Sequence, residues 1–299
     1  MRTLLLAASG LSLLLFTACA GPAPIDQQIR KLAEQVGAEH LGAVSVGPRT
    51  VWMTYTTGGV PKSADNVGGQ VSIWEPLDSE RAMVSKPVGI DELQLDRFAD
   101  RLHAQDACPA IFGTIAATHG GAILQTIGCD HGGSDVQLVV KDTYLDGRKL
   151  EPLRGLTEEG ILAAIADLGS MTGDRVQGFT VRMSEQDRGP IQVQFTAASE
   201  SKNGIDGEAC RVLALRHQDP DPRGELAAYL GCSPLGLPAE PTFAMSEIPI
   251  ARLLTAVEDA AGELDADIET LEGFHVFVDT GLAVRVSSRG AGSTTVRLD

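Results

Sequence analysis

The sequence predicts an α+β fold of tandem helix–strand–strand–strand units, with the helices packed on one face of antiparallel sheets. Three observations lead to this prediction. Four segments have helical periodicity, and runs rich in β-formers follow each of them. The first three helix starts recur at a spacing near 65 residues, and the gap before the fourth is about 25 residues longer. A helix with one apolar stripe must bury it, and an antiparallel sheet beside it offers an apolar face.

The four predicted helices each begin near a residue whose side chain can cap a first turn. These residues are Asp26, Asp91, Thr157 and Ser246. Gly37 and Gly169 lie where the first and third helices are expected to end, since glycine readily adopts the left-handed conformation of a C-terminal cap. The spacing therefore indicates repetition of pattern, without repetition of residue identity.

A strand hairpin and one further strand are predicted after each helix. The hairpin turns lie at Gly47-Pro48, His119-Gly120, Gln186–Gly189 and Asp279–Gly281. The further strands are QVSIW, DVQLVV, CRVLALRH and TTVRL. Glycine, proline and aspartate supply the backbone dihedrals that such turns require.

Two units can pair their sheets edge to edge, which predicts two α+β domains over 25–151 and 152–299. The charged, proline-containing stretch KLEPLRG, Lys149–Gly155, marks the boundary. The order of elements resembles that of PepSY-type and tandem inhibitor-type α+β modules. This resemblance is topological, so it implies a fold and transfers no functional residue.

The N-terminal segment, residues 1–18, has the features of a secretory signal peptide. Arg2 precedes an apolar run from Leu4 to Phe16, and this run is too short to span a membrane. We therefore expect the segment to be removed during export. The remaining chain would then fold outside the cytoplasm.

The residues around Cys19 indicate how the exported chain is held. Thr17 and Ala18 are small and lie directly before Cys19, which resembles the lipobox of bacterial lipoproteins, with Phe16 where that family usually has leucine. The resemblance implies that Cys19 receives a diacylglycerol and becomes the new N-terminus. Residues 19–24 would form a tether that anchors the protein at a cell-envelope membrane. The alternative is an ordinary signal peptide with an incidental cysteine.

Composition limits the classes of partner. The formal net charge is −16 and hydrophobic residues make up 43% of the chain, which favours a packed core with an acidic surface. Such a surface is repelled by nucleic-acid phosphates and anionic headgroups and favours cationic partners. We therefore expect no nucleic-acid partner, and we expect membrane contact through the lipid anchor alone.

With Cys19 assigned to lipid, four cysteines remain, and an exported protein can oxidise them. Cys108 and Cys129 are centred on the turn sequence THGG, and Cys210 and Cys232 are centred on DPDPRG. Each pair is expected to close the open end of a hairpin as a disulfide. Cross-pairing between the two hairpins is the alternative.

Motifs with chemical associations have simpler structural interpretations. Asp279–Gly281 resembles the aspartic-protease signature, but that chemistry needs two such carboxylates and the sequence has one copy. Ser199–Lys202 matches the SxxK nucleophile motif without the helix that it requires. A zinc site at Cys129, His131 and His119 lacks the usual ligand spacing. The sequence predicts no catalytic residue, metal or cofactor.

Three aromatic side chains are candidates for contact with a partner. Trp52, Tyr55 and Trp74 lie close together in a chain that has few aromatic residues. Trp52 and Tyr55 are three apart on one predicted strand, so they point to opposite faces. Core packing is the alternative interpretation of all three.

These observations favour a non-catalytic binding or adaptor module, lipid-anchored in the cell envelope, with an envelope protein or a small ligand as its partner. Two alternatives remain open at this point. One is an envelope hydrolase whose site has no recognisable motif, which would need a pocket with titratable groups. The other is a passive structural lipoprotein.

Overall fold

The α+β prediction is confirmed: helices accompany large antiparallel sheets. The computed structural model describes residues 23–77, 86–105, 108, 110–130, 138–184, 192–202, 209–233, 241–267 and 270–298. Its α-helices are α1 (Ile25–Val36), α2 (Leu95–His103), α3 (Glu158–Thr172) and α4 (Ile250–Glu263). Among the residues in these ranges, no helix is long and apolar enough to cross a membrane.

The helix caps agree with the sequence at some ends and differ at others. Thr157 caps α3, because its hydroxyl accepts a hydrogen bond from the Gly160 amide at 3.1 Å. Gly37 ends α1 in the left-handed conformation, with φ of 65°. The predicted end of α3 at Gly169 is wrong. The helix continues to Thr172, because Met171 and Thr172 are buried and extend its core-facing stripe.

Two predicted caps lie in short turns that precede the helices. Asp91 belongs to a 3₁₀ turn over Ile90–Leu93, and α2 begins after it. Ser246 belongs to a similar turn over Met245–Glu247, ahead of α4. The predicted caps are therefore several residues too early, because a 3₁₀ turn precedes each helix, as is common at helix N-termini.

The first sheet has eight antiparallel strands, in the order β4-β3-β2-β1-β5-β6-β7-β8. The strands are β1 (His40–Gly47), β2 (Thr50–Thr57), β3 (Val60–Val67), β4 (Gln70–Trp74), β5 (Ala110–Ala117), β6 (Ile123–Asp130), β7 (Leu138–Leu145) and β8 (Arg148–Lys149). Strand β3 was missed in the sequence, since VPKSADNV contains proline and few apolar residues. Its strand form comes from pairing with β2 and β4.

The second sheet has seven antiparallel strands, in the order β13-β12-β11-β10-β15-β16-β17. They are β10 (Gly178–Ser184), β11 (Gln192–Lys202), β12 (Ala209–His217), β13 (Ala227–Ser233), β15 (Leu271–Val278), β16 (Leu282–Ser288) and β17 (Gly292–Arg297). Two short strands, β9 (Arg175–Val176) and β14 (Phe243–Ala244), pair beside it. Helix α3 contacts β11 and β12, and α4 contacts β16 and β17.

Alternate residues of the first sheet face the helices and form a core. In the centre of the sheet, Val44, Met53 and Ile115 are fully buried with Ile29 of α1 and Phe98 of α2. Because side chains alternate along a strand, the residues between them point to the opposite face. That second face of the first sheet looks toward the second sheet.

Main-chain contacts join the two sheets. The Val140 amide of β7 donates to the Arg223 carbonyl at 2.6 Å, in the loop between β12 and β13. The Gly120 amide, in the β5–β6 turn, donates to the Met171 carbonyl near the end of α3 at 2.8 Å. A Cβ atom at Gly120 would lie 2.3 Å from the Ser170 carbonyl oxygen, so a side chain there would prevent this approach.

Candidate functional site

A cleft of about 1000 Å³ lies between the two sheets. We call it the inter-sheet cleft. Its floor is the face of the first sheet that points away from α1 and α2, and its wall is β13 with the loop that precedes it. Its volume is at the upper end of the range of about 300–1,000 Å³ that is typical of small-molecule sites.

The floor consists of apolar positions on either side of a row of hydroxyl groups. Strand register places Ala43 opposite Ala116, and Ala116 opposite Leu124, in one apolar row. Phe112 and Val140 line the floor on the far side of the hydroxyl groups. A ligand lying across this floor therefore meets apolar surface along most of its length.

The hydroxyl row crosses the middle of the floor. Ser45 is opposite Thr114, and Thr114 is opposite Thr126, so the three side chains share a face. The Thr114 and Thr126 hydroxyl oxygens are hydrogen-bonded at 2.5 Å. Trp52 is opposite Ser45 on β2 and extends the row with an aromatic ring. Together these side chains can bind both an apolar surface and a ligand hydroxyl.

The wall is formed by β13 and the loop before it. Ala228 and Leu230 supply apolar surface, and Leu230 is half exposed. The Asp221 carboxylate organises the loop, since one of its oxygens accepts hydrogen bonds from the Arg223 and Glu225 amides, both at 2.8 Å. This places the side chains of Arg223 and Glu225 on the cleft.

Gly224 allows the loop to dock on the first sheet. Its φ is +86°, a conformation that favours glycine, and a Cβ atom there would lie 2.1 Å from the Val140 carbonyl oxygen. The Leu226 amide, just after it, donates to the Thr143 hydroxyl at 3.4 Å. The wall of the cleft is thus held against β7 by backbone contacts at Arg223 and Gly224 and by the hydrogen bond from Leu226 to the Thr143 hydroxyl.

Glu225 is the acidic group of the lining. Burial raises the pKa of its carboxyl, the neighbouring Asp221 carboxylate raises it further, and the charge of Arg223 opposes the shift. Within the described part of the chain, its carboxylate accepts no hydrogen bond and forms no ion pair. An unpaired, half-buried acid in an apolar cleft has no evident structural role.

Tyr229 and His119 connect the two sheets near the cleft. The His119 amide donates to the Tyr229 hydroxyl oxygen at 3.1 Å. Burial lowers the pKa of the His119 imidazole, and the nearby Lys86 charge lowers it further. Both effects favour the neutral form of the imidazole.

A second concave region, of about 360 Å³, is lined by charged groups, and its buried ones are paired with each other. The Arg216 side chain is 1% exposed, and its Nε atom donates to the Asp167 Oδ2 atom at 2.8 Å. The Arg148 guanidinium, from β8 of the first sheet, binds the other oxygen of Asp167. Arg216 also donates to the carbonyls of Leu226 and Glu151. We call this group the Asp167 clamp.

The contacts of the Asp167 clamp give it a structural role. Its donors are satisfied by carbonyls and by a carboxylate, and it links β8, α3 and β12. Burial lowers the pKa of Arg216, while its hydrogen bond with Asp167 favours the charged form. A ligand would have to displace these bonds, so the inter-sheet cleft is the better candidate site.

The three aromatic candidates have different environments. Trp52 lies in the floor of the inter-sheet cleft, partly exposed. Tyr55 is fully buried in the core on the opposite face, where burial raises the pKa of its phenol. Trp74 is half-buried on the edge strand β4, on the face that carries Ser63. Trp52 and Trp74 are therefore accessible to a ligand, whereas Tyr55 is buried and is not.

The cysteine predictions are tested in part. Cys108 and Cys129 form a disulfide with their Cα atoms 5.4 Å apart, which closes the β5–β6 hairpin. The backbones of Cys210 and Cys232 lie on the neighbouring strands β12 and β13, but their side chains are outside the described residues. Cys19 and the signal segment also lie outside them.

The two protease- and hydrolase-like motifs occupy ordinary structural positions. Asp279–Gly281 forms the tight turn between β15 and β16, where the Asp279 amide donates to the Gly281 carbonyl at 3.0 Å. Ser199 is in strand β11, 4% exposed, and its hydroxyl donates to the Arg175 carbonyl at 3.1 Å. An SxxK nucleophile needs a helix at this position, so the motif does not form.

Glu225, Asp167 and Arg216 were not singled out in the sequence. The sequence does contain a signal for Asp167 and Arg216. Asp167 lies on the core-facing stripe of a predicted helix, and Arg216 lies on the buried face of a predicted strand, in phase with Val212 and Ala214. A charged residue at a core-facing position predicts a buried partner. Glu225 follows a turn and carries no such signal.

Comparison with known proteins adds no functional information. No protein-family model matches the chain, and no curated protein is significantly similar to it. Among the side chains that the structure describes, no group of three histidine, cysteine, aspartate or glutamate residues could hold a metal ion. The functional argument therefore rests on the geometry of the inter-sheet cleft.

Proposed function

We propose that the chain is an exported, lipid-anchored envelope protein whose inter-sheet cleft binds an apolar ligand without transforming it. The observation that carries this proposal is the cleft itself. Its floor combines two apolar rows with the Trp52 ring, and its volume of about 1000 Å³ is unusually large for a packing defect. Close-packed interiors retain few voids larger than a water molecule.

The non-catalytic part of the proposal rests on the polar groups of the cleft. In the described part of the chain, the floor hydroxyls of Thr114 and Thr126 bond to each other and not to a histidine or carboxylate. A nucleophilic hydroxyl needs such a base beside it. The Asp221 carboxylate beside Glu225 accepts hydrogen bonds from the Arg223 and Glu225 amides, whereas hydrolytic chemistry generally needs a second titratable group that can exchange a proton.

The tandem organisation supports the same interpretation. We infer that 25–151 and 152–299 each contribute a sheet with its helices on one face. The other face of the first sheet then stays free for a ligand, and the wall comes from the second half of the chain. A site between two halves is a common location for small-molecule binding.

The lipid anchor would place this cleft close to a membrane. Helix α1 begins at Ile25, shortly after Cys19, so the tether is short. Labelled palmitate should be incorporated into the chain in a bacterial host, and Cys19→Ala should abolish the label. Labelling that persists in this variant would contradict the anchor without affecting the binding proposal.

Binding is tested with the neutral apolar fluorophore N-phenyl-1-naphthylamine and the exported chain carrying Cys19→Ser, which has no acyl chain to compete. We expect saturable fluorescence enhancement. Ala116→Trp and Ala228→Trp each fill the cleft and should weaken binding by about tenfold, equivalent to about 1.4 kcal/mol. Ala251→Trp, on the exposed surface of α4, is the matched control and should bind normally. Equal binding by all four chains would refute the proposal.

A further inference from the structure

The unpaired carboxylate of Glu225 indicates the charge of the ligand. Within the described residues it has no hydrogen-bond donor and no ion-pair partner, although it lines an apolar cleft. A buried ionised carboxylate is costly unless it is paired. The Asp167 clamp, in the same molecule, satisfies its buried charges completely. The described part of the chain therefore supplies no partner for the Glu225 carboxylate.

The surroundings of Glu225 favour a positive charge as that partner. The Asp221 carboxylate is held beside it by two backbone amides, so a second negative charge is fixed in the same loop. Arg223 is exposed, and its charge has less effect on Glu225 than the charge of Asp221. The net charge of −16 attracts cations at longer range.

The remaining lining fits the rest of such a ligand. Trp52 and Phe112 lie on the floor, where aromatic faces attract both alkyl groups and cations. The two apolar rows run across the strands of the sheet, and the Val140 end of one of them contacts the polar loop. An amphiphile can therefore place one polar end at Glu225 and its apolar body along the floor.

We propose that the inter-sheet cleft selects cationic amphiphiles, with one ammonium group paired to Glu225 and the apolar body lying against Trp52 and Phe112. This inference rests on the proposed function. An anionic amphiphile of the same length would bring a second negative charge next to Glu225 and Asp221. A neutral one would form no ion pair with Glu225.

The test uses three probes with the same alkyl chain: dodecylammonium, dodecanoate and dodecanol, each below its aggregation concentration. Their dissociation constants are measured by displacement of N-phenyl-1-naphthylamine from the exported Cys19→Ser chain. Charge-assisted hydrogen bonds are stronger than neutral ones, so we expect dodecylammonium to bind at least about tenfold more tightly than dodecanoate.

Two variants locate the effect. Glu225→Gln is isosteric and should bring the ammonium-to-carboxylate preference to within about threefold, while dodecanol affinity stays unchanged. Arg223→Gln removes the competing positive charge and should increase the preference. Unchanged dodecanol affinity also shows that Glu225→Gln is folded.

The outcomes separate the two proposals. If none of the three probes displaces the fluorophore from a folded chain, the binding function itself fails. Binding of dodecanol with no preference for dodecylammonium overturns the charge inference alone. A preference that survives Glu225→Gln overturns the role of Glu225, because the long-range charge of the protein would then explain it.

Discussion

The Asp167 clamp and the inter-sheet cleft both lie between the two sheets, yet they treat buried charge in opposite ways. In the clamp, Asp167 holds guanidinium groups from two strands, and Arg216 donates to carbonyls with its other nitrogens. In the cleft, the Glu225 carboxylate has no partner among the described residues. A paired buried charge is costly to separate from its partner, whereas an unpaired one calls for an explanation.

The same comparison separates a site that is closed by the chain's own groups from one that is open to a ligand. The clamp is closed by groups of the chain itself, so adding a ligand there would break bonds. The cleft is held open because the docked loop around Gly224 keeps β13 apart from the floor. Preorganised apolar surface of this kind binds a ligand at little ordering cost. The predictions below test the comparison, from the largest expected effect to the smallest.

Breaking the clamp should have the largest effect on stability. Asp167→Ala leaves the Arg216 guanidinium buried without its carboxylate, so the free energy of unfolding should fall by about 3–5 kcal/mol. Urea unfolding followed by circular dichroism measures the change. Glu159→Ala removes an exposed ion pair with Arg154 and should cost less than about 1 kcal/mol. Equal losses in the two variants would contradict a structural role for the clamp.

Removing the Cys108–Cys129 disulfide should have the next largest effect. The double change Cys108→Ser and Cys129→Ser releases a loop with a sequence separation of 21, which is worth about 3 kcal/mol in the chain-entropy model. The comparison variant is Cys210→Ser with Cys232→Ser. A similar loss there would support the second predicted disulfide, and no loss would count against it. Thiol titration of the unfolded chain gives an independent check.

Adding a methyl group at Gly224 tests the docking of the cleft wall. Gly224→Ala combines a strained backbone with a clash against the Val140 carbonyl, and it should destabilise the chain by about 2–4 kcal/mol. Gly290 has a similar φ of +82° with nothing near its Cβ position, so Gly290→Ala should cost only about 1 kcal/mol. Thermal unfolding compares them. Equal effects would show that strain alone, and not the contact with β7, matters at Gly224.

The unpaired charge of Glu225 should have the smallest effect, visible as a pH dependence. Its raised pKa means that the folded chain binds this proton more tightly than the unfolded chain does. The associated stability is present below the ordinary carboxyl pKa and is lost as the pH rises through the raised value. Glu225→Gln should therefore gain stability over the parent chain as the pH rises, by less than about 1 kcal/mol.

The control for this measurement is Glu258→Gln on the exposed face of α4. Urea unfolding of the three chains across the acid-to-neutral range should show a pH-dependent difference for Glu225→Gln alone. A difference of the opposite sign, with the parent chain gaining stability as the pH rises, would mean that Glu225 has a cationic partner in the folded protein.

Hydrophobic periodicity and local turn chemistry predicted the four helices and most of the strands in their order, but missed β3. The helical stripes predicted four helices, and the hairpin turns at His119-Gly120 and Asp279–Gly281 follow from local turn chemistry. Cysteine spacing around one of these turns predicted the Cys108–Cys129 disulfide. These features are local, because each depends on residues within one or two elements.

Tertiary structure decided the features that depend on distant residues. Strand β3 exists because β2 and β4 lie on either side of it, and α3 passes Gly169 because Met171 finds a buried site. The inter-sheet cleft needs Trp52 and Glu225 on opposite sides of one space, although they are far apart in the sequence. Periodicity tells which face of an element is apolar, whereas the packing of the sheets decides what that face meets.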